Sequence, residues 1–207
     1  MWLSLDSRIY RRVHNIILPS KNGTTQIDHL LVSPYGLFIV ETKNKKGWIF
    51  GSENEPKWTQ TLFKEKYTFQ NPLHQTFRQK KVLSEFLGLN ESQIHTVVYF
   101  VGDCTFKTPL PGNVINSGIG RYFKKFQNHI FSPQGIEHIV KILEGHISNS
   151  TLTKRDHLQS LRQRHASNTI CPKCGSILIE RTANKGPMAG SKFLGCSNYP
   201  KCRFTKS

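Results

Sequence analysis

Acidic residues are scarce in this sequence. Only 13 Asp and Glu stand against 29 Lys and Arg in 207 residues, a formal net charge of +16. Such an excess points to a polyanion, either nucleic acid or an anionic membrane surface. Long apolar runs are also missing. None approaches the roughly 18–20 residues a spanning helix needs, so no membrane partner is expected. The opening MWLSLDSRIYRR lacks the apolar core of a secretory signal, because polar and charged residues interrupt it by Asp6, and a cytoplasmic location is expected. Cysteine is sparse as well: five occur, and four crowd into residues 171–202. In a reducing compartment that crowding reads as a metal site before it reads as disulfides. Cys104 stands apart and reads as an inert thiol.

The composition shifts near residue 148. Residues 1–147 hold 18 basic and 11 acidic residues, net +7, whereas residues 148–207 hold 11 and 2, net +9. SNSTLTKRDHLQSLRQRHASNT, residues 148–169, reads as a basic linker with at most one short exposed helix. The organisation expected is a first domain over 1–147, a linker over 148–169 and a small cysteine module over 170–207.

Within the first domain, Ile27–Val32 and Leu37–Lys43 read as strands joined by Ser33-Pro34-Tyr35-Gly36, which suits a tight turn. A further strand is expected at Trp48–Phe50. Asn71-Pro72 is a helix cap followed by proline at the first helical position. The helix is expected to bury Leu73, Phe77, Leu83, Phe86 and Leu87 and to stop at Gly88. Val97–Val101 is a continuous apolar run, the mark of a central strand, and Val114–Ile115 a short one. Helical spacing links Ile119, Tyr122, Phe123, Phe126 and Ile130. Ser132-Pro133 opens a last helix with Ile136, Ile139, Val140 and Leu143 inward. The sum is a mixed α/β fold.

The hairpin carries charges where apolar residues are expected. If the strands pair across the turn, opposed residue numbers sum to 69, so Val32 faces Leu37, Leu30 faces Ile39 and Asp28 faces Glu41. Lys43 then points to the same face. Opposed carboxylates repel, and a divalent cation with a taste for oxygen, Mg²⁺ or Mn²⁺, converts repulsion into binding. A lysine beside such an ion can help activate a water for phosphodiester hydrolysis. The alternatives are that both carboxylates face water at strand ends, or that a bulge breaks the register. His29 falls on the opposite face and reads as structural. Glu55-Pro56-Lys57 repeats the E-x-K pattern in a polar stretch and reads as a surface loop.

Residues 24-TTQIDHLLVSPYGLFIVETKNKKGWIFG-51, Trp58 and 71-NPLHQ-75 resemble the nuclease-related domain, over a core of about residues 13–125. That family is placed with the restriction-endonuclease-like nucleases, whose site is a D…E-x-K constellation on a hairpin. The resemblance implies a restriction-endonuclease-like mixed sheet with flanking helices. It also implies Mg²⁺ or Mn²⁺ ligation by Asp28 and Glu41, a catalytic Lys43 and a supporting Gln75. Off the apolar stripe, Gln75 suits a site-facing place as well as an exposed one. The family pattern also has an upstream helix carrying a glutamate. No glutamate precedes Glu41 here, and Asp6 is a poor substitute on spacing.

Residues 171-CPKCG-175 and 196-CSNYPKC-202 form C-x₂-C-x₂₁-C-x₅-C, so Cys171, Cys174, Cys196 and Cys202 read as the ligands of one tetrahedral zinc. About 35 residues cannot bury a useful core alone, and metal must supply the folding energy. The segment resembles the four-cysteine zinc ribbons of type IA topoisomerases, which implies binding to DNA, single-stranded or nicked. Phe193, Tyr199 and Phe204 would stack on bases while Lys192, Lys201 and Arg203 neutralise phosphates. Packing inside the ribbon is the other use for such aromatics. The function expected is a DNA-binding protein with a metal-dependent nuclease domain, or a non-catalytic DNA-binding module with an incomplete site. Strand passage is not expected.

Overall fold

The computed structural model describes residues 5–206, the side chain of His165 excepted. A five-stranded mixed sheet forms the centre. Its strands are β1 (Arg11–Ser20), β2 (Gly23–Ser33), β3 (Gly36–Lys43), β7 (Ile94–Phe100) and β9 (Val114–Ile115), side by side in that order. The first three are antiparallel neighbours, and β7 and β9 run parallel to β3. Between β3 and β7 the chain builds β4 (Gly47–Phe50), β5 (Lys57–Leu62) and β6 (Glu65–Gln70). These pair with β8 (Cys104–Phe106) as a second sheet in the order β6-β5-β4-β8. The strand expected at Trp48–Phe50 therefore belongs to this second sheet. Trp58, fully buried, stacks on Phe100 and ties the two sheets together.

Alternation along β3 decides what faces what. Leu37 and Ile39 join Leu30 and Val32 in a core covered by α1 (Pro72–Leu87) and α3 (Pro133–Asn149). Phe38 and Val40 join Leu31 and Val97 on the other face, under α2 (Ile119–Phe123). Each of these aliphatic side chains, removed from water, stabilises the fold by about 1.5–3 kcal/mol. The helix signals hold: the Asn71 side chain caps α1 and Gly88 ends it in a left-handed conformation at φ 64°, while Ser132 caps α3. Ile136, Ile139, Val140 and Leu143 are buried as expected.

Three expectations need correction. The helical spacing through Ile130 overreaches, since α2 ends at Phe123 and the Ile130 N–H bonds the Pro34 carbonyl instead, at 2.6 Å. The inward face of α1 is largely polar: His74, Thr76, Arg78 and Gln79 are buried with Val82 and Leu83, whereas Leu73, Phe77, Phe86 and Leu87 are only partly covered. Most consequentially, the one helix allowed for in the linker, α4 (Lys154–Ala166), is not wholly exposed: it buries His157, Ser160 and Arg164 against β2. Its start is a capping box between Thr153 and Asp156. Thr24 bonds three of its side chains: its N–H reaches Ser160 Oγ at 2.9 Å, its hydroxyl meets His157 Nδ1 at 3.0 Å, and its carbonyl accepts from Arg164 at 3.2 Å. Gly23 makes this approach possible, because a Cβ there would lie 2.0 Å from Ser160 Oγ. Among the described residues no helix is long and apolar enough to cross a membrane.

Candidate active site and metal centre

Apolar alternation in β3 gives way to charge at its C-terminal end, on the α1 side. Glu41 is buried at 2% exposure, between Val40 and the half-buried Lys43. A carboxylate so placed needs partners, and it has three. Lys43 Nζ donates to Oε1 at 2.6 Å, while Oε2 accepts from Gln75 Nε2 at 2.9 Å and Gln79 Nε2 at 3.1 Å. Gln75 closes a ring, since its Oε1 accepts from Lys43 at 3.1 Å. Gln79 also donates to the Gln26 carbonyl at 2.9 Å. Those two bonds fix its amide orientation and leave Oε1 as a buried acceptor without a partner.

Sequence reasoning placed Glu41, Lys43 and Gln75 together, and the fold brings them together. It missed Gln79 and Gln26. The Gln75-x₃-Gln79 spacing, one helical turn, was the available signal.

Asp28 is placed differently from expectation. The hairpin register does sum to 69, from Ser33–Gly36 to His29–Val40, but the ladder ends there and the Asp28–Glu41 rung is not formed. On the other side of β2 the pairing steps from His14–His29 to Ile16–Ile27, again passing over Asp28. The residue in register opposite is Asn15, whose backbone is left-handed at φ 54°, a conformation that takes it out of a regular ladder. Asp28 is half-buried and accepts from Gln26 Nε2 at 2.9 Å. Its charge also acts on His157 of α4, whose pKa is lowered by burial first and by Arg164 next, and raised by Asp28. His29 does lie on the opposite face, where its Nδ1 meets that of His14 at 3.0 Å. Asp6 is engaged by Arg8 in a turn before β1 and lines a hollow with Tyr10 and Phe123, away from Glu41. Glu55, Pro56 and Lys57 are exposed; Glu55 and Pro56 lie in the loop before β5, and Lys57 opens that strand.

The ribbon comprises β10 (Leu178–Thr182), β11 (Lys192–Cys196) and β12 (Thr205–Lys206). Cys171, Cys174, Cys196 and Cys202 bring four sulfurs within 4.8 Å of one another. The pairs Cys171–Cys202 and Cys174–Cys196 stand at 3.8 and 3.3 Å. A zinc–sulfur bond of about 2.3 Å implies sulfurs about 3.8 Å apart around a tetrahedral ion, so the set could hold zinc. The first knuckle closes by the Gly175 N–H donating to the Cys171 carbonyl at 2.9 Å, with Gly175 at φ 80°. Cys174 is held far below the ordinary thiol range by a hydrogen bond from Cys171, which is itself pushed up in consequence. Cys104 is buried and unbridged, its thiol pushed up by that burial.

Of the expected nucleic-acid contacts, Tyr199, Lys201, Arg203 and Lys192 are exposed. Lys192 is paired with Glu180 at 2.9 Å. Phe193 is half-buried, and Phe204, also half-buried, packs against the cysteine cluster. The ribbon lies against the first domain. Asn22 Nδ2 donates to the Gly175 carbonyl at 2.6 Å, and Lys173 lies 5.4 Å above the Phe77 ring of α1. Between them runs a cleft of about 510 Å³ whose lining includes Lys80, Lys173, Lys201 and Arg203 against a single acid, Glu53.

Residues 2–101 match the family model described as Nuclease-related domain, and residues 168–207 match that described as Topoisomerase DNA binding C4 zinc finger. An uncharacterized protein of Bacillus anthracis is 40% identical over 108 residues, 52% of this chain and 50% of that protein. The tail is 56% identical over 37 residues to DNA topoisomerase 1 of Methanocaldococcus jannaschii, 18% of this chain and 4% of that enzyme. It is 45% identical over 40 residues to the uncharacterized Escherichia coli protein YrdD, 19% of either chain. This chain thus spans half or less of these relatives. No solved structure matches.

Proposed function

We propose that this chain, a nuclease-related domain joined to a topoisomerase-type zinc ribbon, is a DNA-binding protein whose first domain hydrolyses phosphodiester bonds. The observation that carries this reading is the ring of Glu41, Lys43 and Gln75, a buried carboxylate and an ammonium held by one amide at the start of α1. Asp28 and Glu41 would hold Mg²⁺ or Mn²⁺, and the orphaned Gln79 Oε1 offers a further hard oxygen nearby, a donor set such ions favour. The ion, when bound, would supply charge neutralisation at a phosphate oxygen and a more acidic water. Lys43 leaves Glu41 Oε1 for the attacking water or the scissile phosphate, and Gln75 orients it through its Oε1. The ribbon, its four cysteines on structural zinc, holds the nucleic acid. Lys80, Lys173, Lys201 and Arg203 then give a strand a basic path along the cleft, with Tyr199 for base stacking. The DNA so held would be single-stranded or nicked, as the ribbon's resemblance implies.

One observation favours a second reading, a non-catalytic DNA-binding module. Both Glu41 oxygens are engaged by side chains, and Asp28 does not share its rung. Plasmid nicking with Mg²⁺ or Mn²⁺, by the wild type and by Asp28→Ala, Glu41→Ala and Lys43→Ala, separates the two. Catalysis predicts nicking by the wild type and none by the variants, with metal-induced thermal stabilisation kept only by Lys43→Ala. Equal nicking by Asp28→Ala would overturn the assignment of the site. No nicking and no metal-induced shift would leave the binding module.

A further inference from the structure

Two arginines lie deep in the seam between α1, β2 and α4. Arg78 is 7% exposed and Arg164 5%. Both line a small cavity of about 80 Å³ that is partly open to solvent, together with Gln75, Gln79, His157 and Pro172. Every residue bordering that cavity is neutral or basic; none is Asp or Glu. The bonds the two guanidiniums make go to neutral acceptors. Arg78 donates to Thr25 Oγ1 at 3.1 Å and Ser20 Oγ at 2.9 Å, and Arg164 to the Thr24 carbonyl at 3.2 Å. Among the described residues neither forms a salt bridge, and Arg164 Nε is buried with no hydrogen-bond partner. Arg164 is drawn down to about 10, by burial first and by Arg78 next. No acidic group is among those that act on Arg164.

Two buried guanidiniums and one orphaned donor in a single cavity form an arrangement that an oxyanion completes. Burying a cation without a counter-charge is costly, and a planar guanidinium matches the oxygens of a phosphate. The cavity is too small for a nucleotide, given that small-molecule sites run to several hundred Å³, but it suits one tetrahedral group. Gln75 and Gln79, which hold the Glu41 carboxylate, form part of its wall.

We infer that Arg78 and Arg164 form a phosphate subsite beside the Glu41 cluster, occupied by a backbone phosphate of the bound nucleic acid. This rests on the DNA-binding reading above, and it assigns a ligand-binding role to α4, outside both matched regions. Lined by α4 and by Pro172 next to the first zinc knuckle, the subsite joins all three parts of the chain at one phosphate.

Inorganic phosphate is the probe. The full-length, zinc-loaded chain is titrated with phosphate at constant ionic strength without divalent metal, and thermal stabilisation is read against chloride. The wild type should be stabilised by phosphate specifically, and Arg164→Gln should bind it about tenfold more weakly, the worth of one charge-assisted contact. For a single-stranded oligonucleotide, Arg164→Gln should also flatten the slope of log affinity on log salt by about 0.7. No phosphate-specific shift in the wild type, or an equal one in Arg164→Gln, overturns the subsite. If Arg164→Gln does not fold, Arg164→Lys keeps the charge and loses the planar fork. A weakened phosphate shift in that variant supports the subsite and an unchanged one overturns it. The two readings fail separately. Phosphate binding lost in Arg164→Gln stands even if the wild type nicks no plasmid, and nicking without phosphate binding sinks the subsite alone.

Discussion

Gln79 Nε2 stands 3.1 Å from Glu41 Oε2, a buried amide holding a buried carboxylate across the α1–β3 interface. With Gln75 and Lys43 it turns Glu41 from a repelled neighbour of Asp28 into the hub of a network. The relationship reverses what opposed carboxylates alone would imply for stability.

Glu41→Ala should destabilise the chain in the absence of metal. It strands the Lys43 ammonium and the Nε2 groups of Gln75 and Gln79 in a half-dry site. The cost should be about 2–4 kcal/mol, read as a lower urea midpoint with unchanged slope. A stabilised variant would mean that repulsion with Asp28 dominates after all.

Gln79→Ala should cost about 1–3 kcal/mol, because the Gln26 carbonyl and a Glu41 oxygen each lose a donor. Its sharper effect should fall on metal affinity, down about 10- to 100-fold by loss of an orienting partner. Calorimetric titration with Mn²⁺ measures this. An affinity equal to the wild type's would remove Gln79 from the site.

Zinc removal should unfold the ribbon first. Hydrogen exchange after chelation should show protection lost across residues 170–206 and kept in β3 and β7, since the folding energy supplied by the metal is local. Metal analysis should return one zinc per chain, and Cys171→Ser should mimic chelation. Protection unchanged after chelation would show that the ribbon stands without metal.

The basic cleft predicts a salt signature. Replacing Lys173, Lys201 and Arg203 together by glutamine should reduce the salt slope for single-stranded DNA by about 2, at about 0.7 per phosphate contact. A slope equal to the wild type's would place the nucleic acid elsewhere.

His74 predicts a pH dependence. Burial first and Lys173 next lower its pKa to about 4, and its Nε2 lies 2.8 Å from the Glu53 carbonyl. The unfolded chain binds this proton near the ordinary value of 6.5, so the folded pKa is the depressed one. The stability this contributes is present above about pH 6.5 and is lost as pH falls towards 4, at most about 3 kcal/mol. His74→Gln should flatten that limb of the pH profile. Parallel profiles for variant and wild type would show that His74 does not titrate in this window.

Local signals carried much of this protein. The cysteine spacing determined the metal cluster, Asn71-Pro72 and Ser132-Pro133 determined two helix starts, and strand alternation sent Glu41 and Lys43 to the α1 side. Each depends on a few neighbouring residues and a fixed periodicity, so a linear reading reaches it. What the tertiary structure decided is wherever distant segments share an environment. The Asp28–Glu41 rung is absent because the β2–β3 ladder stops at His29–Val40, and on the other side of β2 a left-handed Asn15, from a third strand, stands in the register position opposite Asp28. The polar face of α1 turned inward because Glu41, Thr25 and Ser20 supply partners that no helical wheel displays. Residues 154–166, charged and poor in apolar side chains, read as linker because their helix is held by Thr24 and by the absence of a Cβ at Gly23. A polar segment buries itself only where hydrogen-bond partners are waiting, and those partners lie more than 130 residues away along the chain.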